Sequence, residues 1–74
     1  MNAAYEKKLG ENIRRLRRER KLSQELVAQR MQLRGCDITR SALAKIEVGQ
    51  RHIYADELKA LQEVLQAPYE MLFV

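Results

Sequence analysis

The stretch from Ser23 to Glu47, SQELVAQRMQLRGCDITRSALAKIE, constrains this chain more than any other part of it. It reads as two short amphipathic helices separated by a polar, glycine-containing break. Ser23 is placed to cap the first of them, its hydroxyl accepting an orphan backbone N–H, and Glu25 lies in the electropositive first turn. Val27, Ala28 and Met31 face inward, and the small Ala28 lets two steeply crossing helices close up. Gln32 to Asp37 form the break, with Gly35 suited to a left-handed helix stop. Thr39 caps the next helix, whose Leu43 and Ile46 point to the core.

What that second helix leaves outside is Arg40, Ser41, Ala44 and Lys45. Small side chains between basic ones let a nucleic-acid groove accept the helix closely, while long donors reach base edges or phosphates.

The flanking segments supply the remaining core. Tyr5, Leu9, Ile13 and Leu16 recur at intervals of four, four and three, one stripe of a helix over 3–20 with Asn2 as its N-cap. Its opposite face carries Lys7, Lys8, Arg14, Arg15, Arg18 and Lys21. Gly10 inside this helix costs about 1 kcal/mol relative to Ala and marks a close approach by another helix. Beyond Glu47, Gly49 is the expected αL residue. Asp56 and Glu57 favour a helix start, and Leu58, Leu61, Val64 and Leu65 form its buried stripe. Pro68 suits the first position of a short last helix, with Tyr69, Leu72 and Phe73 closing the core. The expectation is an all-α fold, one domain over residues 1–74, with helices at about 3–20, 24–34, 40–47, 55–66 and 68–73. Leu26 and Leu33, one heptad apart, find no core role in this scheme.

Charge is divided unevenly. Residues 1–34 hold ten Lys/Arg against four Glu, a net of +6, and residues 35–74 hold four against six, a net of −2. Such a basic half suits an anionic partner, although a solvated basic face is the plainer alternative. With one cysteine, Cys36, there is no internal disulfide and no cysteine-based metal site; a buried, inert thiol is expected. No apolar run reaches the roughly 20 residues of a membrane span, and the N-terminus is too polar for a signal peptide, so a cytoplasmic setting is expected. One His, one Cys, no paired metal-ligand motif and no glycine-rich phosphate loop assemble no catalytic set, so no enzyme activity, metal or cofactor is expected. The few aromatics occupy core-like positions and form no stacking platform for RNA.

In their order and spacing, LGENIRRLRRERKLSQ, the Val27-Ala28 and Met31 pattern, ITRSALAKIE followed by Gly49, and ELKALQEVLQAPYEMLF resemble the phage-repressor and Cro-like (XRE-type) helix-turn-helix family. The likeness covers about residues 9 to 73. It implies a compact five-helix, lambda-repressor-like domain that binds double-stranded DNA sequence-specifically, as a bacterial or phage transcriptional regulator of the repressor kind. Helix 40–47 would enter the major groove. By the same resemblance Gln24 bonds a phosphate and braces the recognition helix, and Thr39 caps that helix and touches the backbone. Arg40, Ser41, Ala44 and Lys45 match base-facing positions, and Arg51 meets phosphate from the following loop. Arg17 and Glu47 match a pair bridging the first helix to the end of the third, read as a structural ion pair in preference to a direct DNA contact.

The sequence also departs from that pattern. Six residues, Gln32 to Asp37, separate Met31 from Ile38 where typical members have a single small one. The second helix is therefore expected to run on by about one turn, roughly 5 Å. Arg34 within this insertion either reaches phosphate or is only solvated. Val48 and Gln50 replace the Asn and basic residue that usually flank the glycine, Tyr54 stands where Ser or Thr normally caps the fourth helix, and His52 is a surface or loop residue. A chain this short offers few base contacts, so a homodimer on half-sites about one helical turn apart is expected. Its interface would be the C-terminal end around Tyr69, Met71 and Val74 or the Leu26/Leu33 face, both of which could equally be internal packing. The rival reading is a protein-interaction module, such as an antitoxin that masks a toxin.

Overall fold

The structure, a computed structural model, describes residues 3–72. Among them every regular element is a helix: α1 (Ala3–Glu19), α2 (Gln24–Leu33), α3 (Arg40–Glu47), α4 (Ala55–Leu65) and α5 (Tyr69–Leu72). Asn2, Phe73 and Val74, to which the sequence assigns a cap, a core contact and an interface contact, lie outside the described residues. The bounds of α1 to α4 differ from the expected ones by at most one residue.

Side chains and backbone set these boundaries together. Ser23 Oγ accepts the Leu26 N–H at 3.1 Å, and Thr39 Oγ1 accepts the Ala42 N–H at 3.0 Å, so α2 and α3 both start on a hydroxyl cap. Helix α2 stops with Gly35 at φ 82°, where the Gly35 and Cys36 N–H groups return to the Gln32 and Met31 carbonyls. The same paired closure ends α3 at Gly49, φ 78°, with Gln50 N–H reaching the Lys45 carbonyl. At the end of α1 the left-handed position falls instead on Lys21, φ 57°, and at the end of α4 on Gln66, φ 52°. Neither has a glycine to announce it.

Helix α1 packs on α3 and α5, and α2 packs on α3 and α4. Between them lie Leu9, Ile13, Leu16, Val27, Ala28, Met31, Leu43, Ile46, Leu61, Val64 and Leu65, all buried, with Leu72 sealing one end. Cys36 and Ile38, in the break, are buried with them.

Two expected core residues are not in the core. Tyr5 is 41% exposed, because the end of α3 crosses α1 between Lys7 and Gly10 and the first turn lies beyond that crossing. Tyr69 is 42% exposed, since the single turn of α5 has one inward position and Leu72 occupies it. So short a helix needs polar fastening. Buried Asn12 donates to the Leu72 carbonyl at 2.7 Å and to the Met71 carbonyl, while its own oxygen accepts from Arg15. Arg20 similarly donates to the Leu65 carbonyl at the end of α4.

Candidate nucleic-acid interface

The placement of α3 starts from an ionic joint beneath it. Arg17 of α1 donates from Nε to Glu47 Oε2 at 2.6 Å and from Nη2 to Oε1 at 3.0 Å, and its Nη1 reaches the Leu22 carbonyl at 2.8 Å. Gln24, at the start of α2, donates to the same Glu47 Oε1 at 3.0 Å. Glu47 is 2% exposed and Arg17 8%, so a charged pair is enclosed with its hydrogen-bonding capacity largely used. One carboxylate thereby ties α1, the α1–α2 turn and α2 to the last residue of α3. Gly10 completes the joint, for a Cβ there would stand 2.2 Å from the Ile46 carbonyl oxygen. The backbones of α1 and α3 meet because residue 10 has no side chain.

With Leu43, Ile46 and Glu47 turned inward, α3 offers Arg40, Ser41 and Lys45 to solvent and leaves Ala44 half-buried between them. The adjacent pairs Arg40–Ser41 and Ala44–Lys45 lie four residues apart and share one face. Thr39 is exposed at the helix start. Beside that start an open groove of about 500 Å³ is lined by Arg14, Arg17 and Arg18 of α1, Ser23, Gln24 and Glu25 at the head of α2, and Arg40.

The basic residues divide into two groups. Arg15 pairs with Glu19, Arg17 with Glu47, Arg34 with Glu63 at 3.5 Å, and Arg51 with Glu57. Arg14, Arg18, Arg30, Arg40 and the lysines Lys7, Lys8, Lys21, Lys45 and Lys59 have no side-chain partner among the described residues. Three of these, Arg14, Arg18 and Arg40, converge on the groove. Sequence reasoning noted the basic face of α1 but did not single out Arg14 and Arg18. Their four-residue spacing, which puts them on one face of α1, was the available signal, and it does not locate them beside α3.

Other side chains are committed elsewhere. Arg51 makes a two-pronged pair with Glu57, at 2.8 and 2.9 Å, donates to the His52 carbonyl, and lies 5.4 Å from the Tyr54 ring centre. Glu57 also accepts the Tyr54 N–H at 2.9 Å, so a carboxylate reaching back supports the start of α4 where no short hydroxyl is present. Burial raises the Glu57 pKa, but the Arg51 hydrogen bonds, the Tyr54 N–H and the Arg51 charge outweigh it and leave the carboxyl below its ordinary value. The Arg51 guanidinium is held correspondingly higher, chiefly by those same bonds. Arg34 is exposed, 3.5 Å from Glu63 of α4, and donates to the Arg30 carbonyl. His52 is exposed and contacts Glu6.

Burial pushes the Cys36 thiol above its ordinary pKa, reinforced by Asp56 and Glu57, which makes it a packing residue and a poor nucleophile. Among the described residues no group of His, Cys, Asp and Glu is arranged to hold a metal ion, and no helix is long and apolar enough to cross a membrane.

A family model described as helix-turn-helix matches residues 13–72 of the 74, from the middle of α1 to the end of α5. Comparison with curated proteins and with solved structures returned no match. The matched span takes in the ionic joint, both capped helices and the face of α3, and the chain belongs to the helix-turn-helix family of DNA-binding regulators, of the phage-repressor and Cro-like type.

Proposed function

We propose that this protein is a cytoplasmic transcriptional repressor that binds duplex DNA at a specific operator as a homodimer, with α3 in the major groove. The observation that carries the reading is the shared position of three uncommitted arginines. Arg14, Arg18 and Arg40 line one groove at the head of α3, and Ser41, Ala44 and Lys45 continue from it along the helix face. On this reading Arg40, Ser41, Ala44 and Lys45 meet base edges, and Arg14, Arg18, Thr39 and the head of α2 meet the phosphates alongside. Gln24 acts mainly by donating to Glu47, and Arg51 acts mainly at the head of α4, where Glu57 holds its guanidinium.

Selection of binding sites from random duplex DNA, at two salt concentrations, tests this. An enriched palindromic motif is expected, its half-sites about one helical turn apart. Weak, sequence-blind binding that disappears steeply with salt would reduce the protein to a charge patch and end the operator reading.

A further inference from the structure

Six residues separate the end of α2 from the start of α3, yet this connection is tied at every stage. Gly35 N–H and Cys36 N–H close α2 onto the Gln32 and Met31 carbonyls at 3.0 and 3.1 Å, and Ile38 N–H returns to the Cys36 carbonyl at 3.0 Å. Cys36 and Ile38 are 6% and 1% exposed, so the turn is anchored in the core at two points. One further bond spans it. The Gln32 amide, from the last turn of α2, donates to the Ile38 carbonyl at 2.7 Å.

Ile38 is the residue before Thr39, whose hydroxyl and carbonyl accept the Ala42 and Leu43 N–H groups and open α3. The far end of α3 is already fixed by Arg17, Gln24 and Gly10. Its near end, which carries Thr39, Arg40 and Ser41, has no ionic joint of its own. We propose that Gln32 is a positioning residue for DNA recognition: through the Ile38 carbonyl it sets the position of the head of α3, and with it the aim of Arg40 and Ser41. The inference rests on the DNA-binding reading above. It asks of Gln32 no DNA contact, only the one hydrogen bond its amide donates to the Ile38 carbonyl.

The test compares wild type with Gln32→Met, which keeps the length and removes the donor, and Gln32→Lys, which restores a donor. Each is titrated with the duplex that wild type enriches from a random pool and with a scrambled duplex of the same composition. For Gln32→Met, affinity for the enriched duplex should fall about three- to tenfold, the scale of one net hydrogen bond, with affinity for the scrambled duplex and the salt slope unchanged. Gln32→Lys should keep the wild-type ratio of the two affinities. An unchanged ratio in Gln32→Met, or equal loss on both duplexes, overturns the proposal. Amide exchange in the free protein gives a readout independent of DNA: the Ala42 and Leu43 amides should exchange faster in Gln32→Met, and unchanged exchange also overturns it. Should wild type enrich no duplex, the operator reading fails, while the exchange measurement still decides whether Gln32 braces the head of α3.

Discussion

Arg17 and Glu47, thirty residues apart in the chain, meet through two parallel hydrogen bonds of 2.6 and 3.0 Å at the point where α1 supports the end of α3. The pair is enclosed, and Gln24 bonds the same carboxylate, so removing either charge strands the other away from water. Arg17→Ala or Glu47→Ala is expected to cost about 3–5 kcal/mol. For a chain whose total stability is on the order of 4–11 kcal/mol, that is a large fraction. Urea unfolding measures it. Replacing both with apolar residues, as in Arg17→Met with Glu47→Leu, should recover most of the loss in stability.

Gly10 gives an opposite sign to the usual helix rule. In an exposed helix Gly→Ala stabilises by about 1 kcal/mol. Here the added methyl would meet the Ile46 carbonyl oxygen at 2.2 Å and the Glu47 carbonyl oxygen at 2.9 Å, all backbone atoms that cannot rotate away. Gly10→Ala should therefore destabilise by about 1–3 kcal/mol. Thermal unfolding shows this as a lowered midpoint, and a raised midpoint would mean that α1 and α3 separate freely.

Acid should weaken the fold through Glu57. Its carboxyl has a folded pKa below the ordinary value, because Arg51 and the Tyr54 N–H outweigh the cost of burial. The unfolded chain binds this proton more readily than the folded one, so the contribution to stability is complete above the ordinary value near 4.5. It is lost as pH falls through the lower, folded value. Unfolding midpoints measured from neutral pH down to about pH 3 should show this loss, and Glu57→Gln should flatten that part of the profile.

Arg14 and Arg18 should differ from Arg40 in kind. If the α1 pair lies against phosphates, Arg14→Ala with Arg18→Ala lowers the slope of log K against log salt by about 1.8, with the order of preferred sequences preserved. Arg40→Ala should cost on the order of 1–3 kcal/mol on the preferred duplex and relax the preference at one base pair. Binding titrations at several salt concentrations separate the two. A salt slope untouched by the double substitution would remove Arg14 and Arg18 from the interface.

Local chemistry was enough to determine the helices of this protein and most of their ends. Ser23 and Thr39 announce caps, Gly35 and Gly49 announce left-handed stops, and the spacing of Leu9, Ile13 and Leu16 or of Leu61, Val64 and Leu65 announces buried faces, because each signal acts within one or two turns of backbone. The outward face of α3 was legible for the same reason, once Leu43 and Ile46 were assigned to the core. Tertiary structure alone decided the rest. Tyr5 and Tyr69 obey a helical pattern, yet both stay largely exposed because α3 crosses α1 only from Lys7 onward and α5 has one inward position. Lys21 and Gln66 take left-handed conformations at the ends of α1 and α4, where no glycine announces the stop. Whether an arginine is free for DNA or already paired depends on which carboxylate the fold brings near it. Glu57 claims Arg51, Glu63 claims Arg34 and Glu47 claims Arg17, while nothing described claims Arg14, Arg18 or Arg40. Such pairings join residues up to thirty positions apart, and no local pattern in the chain encodes that distance.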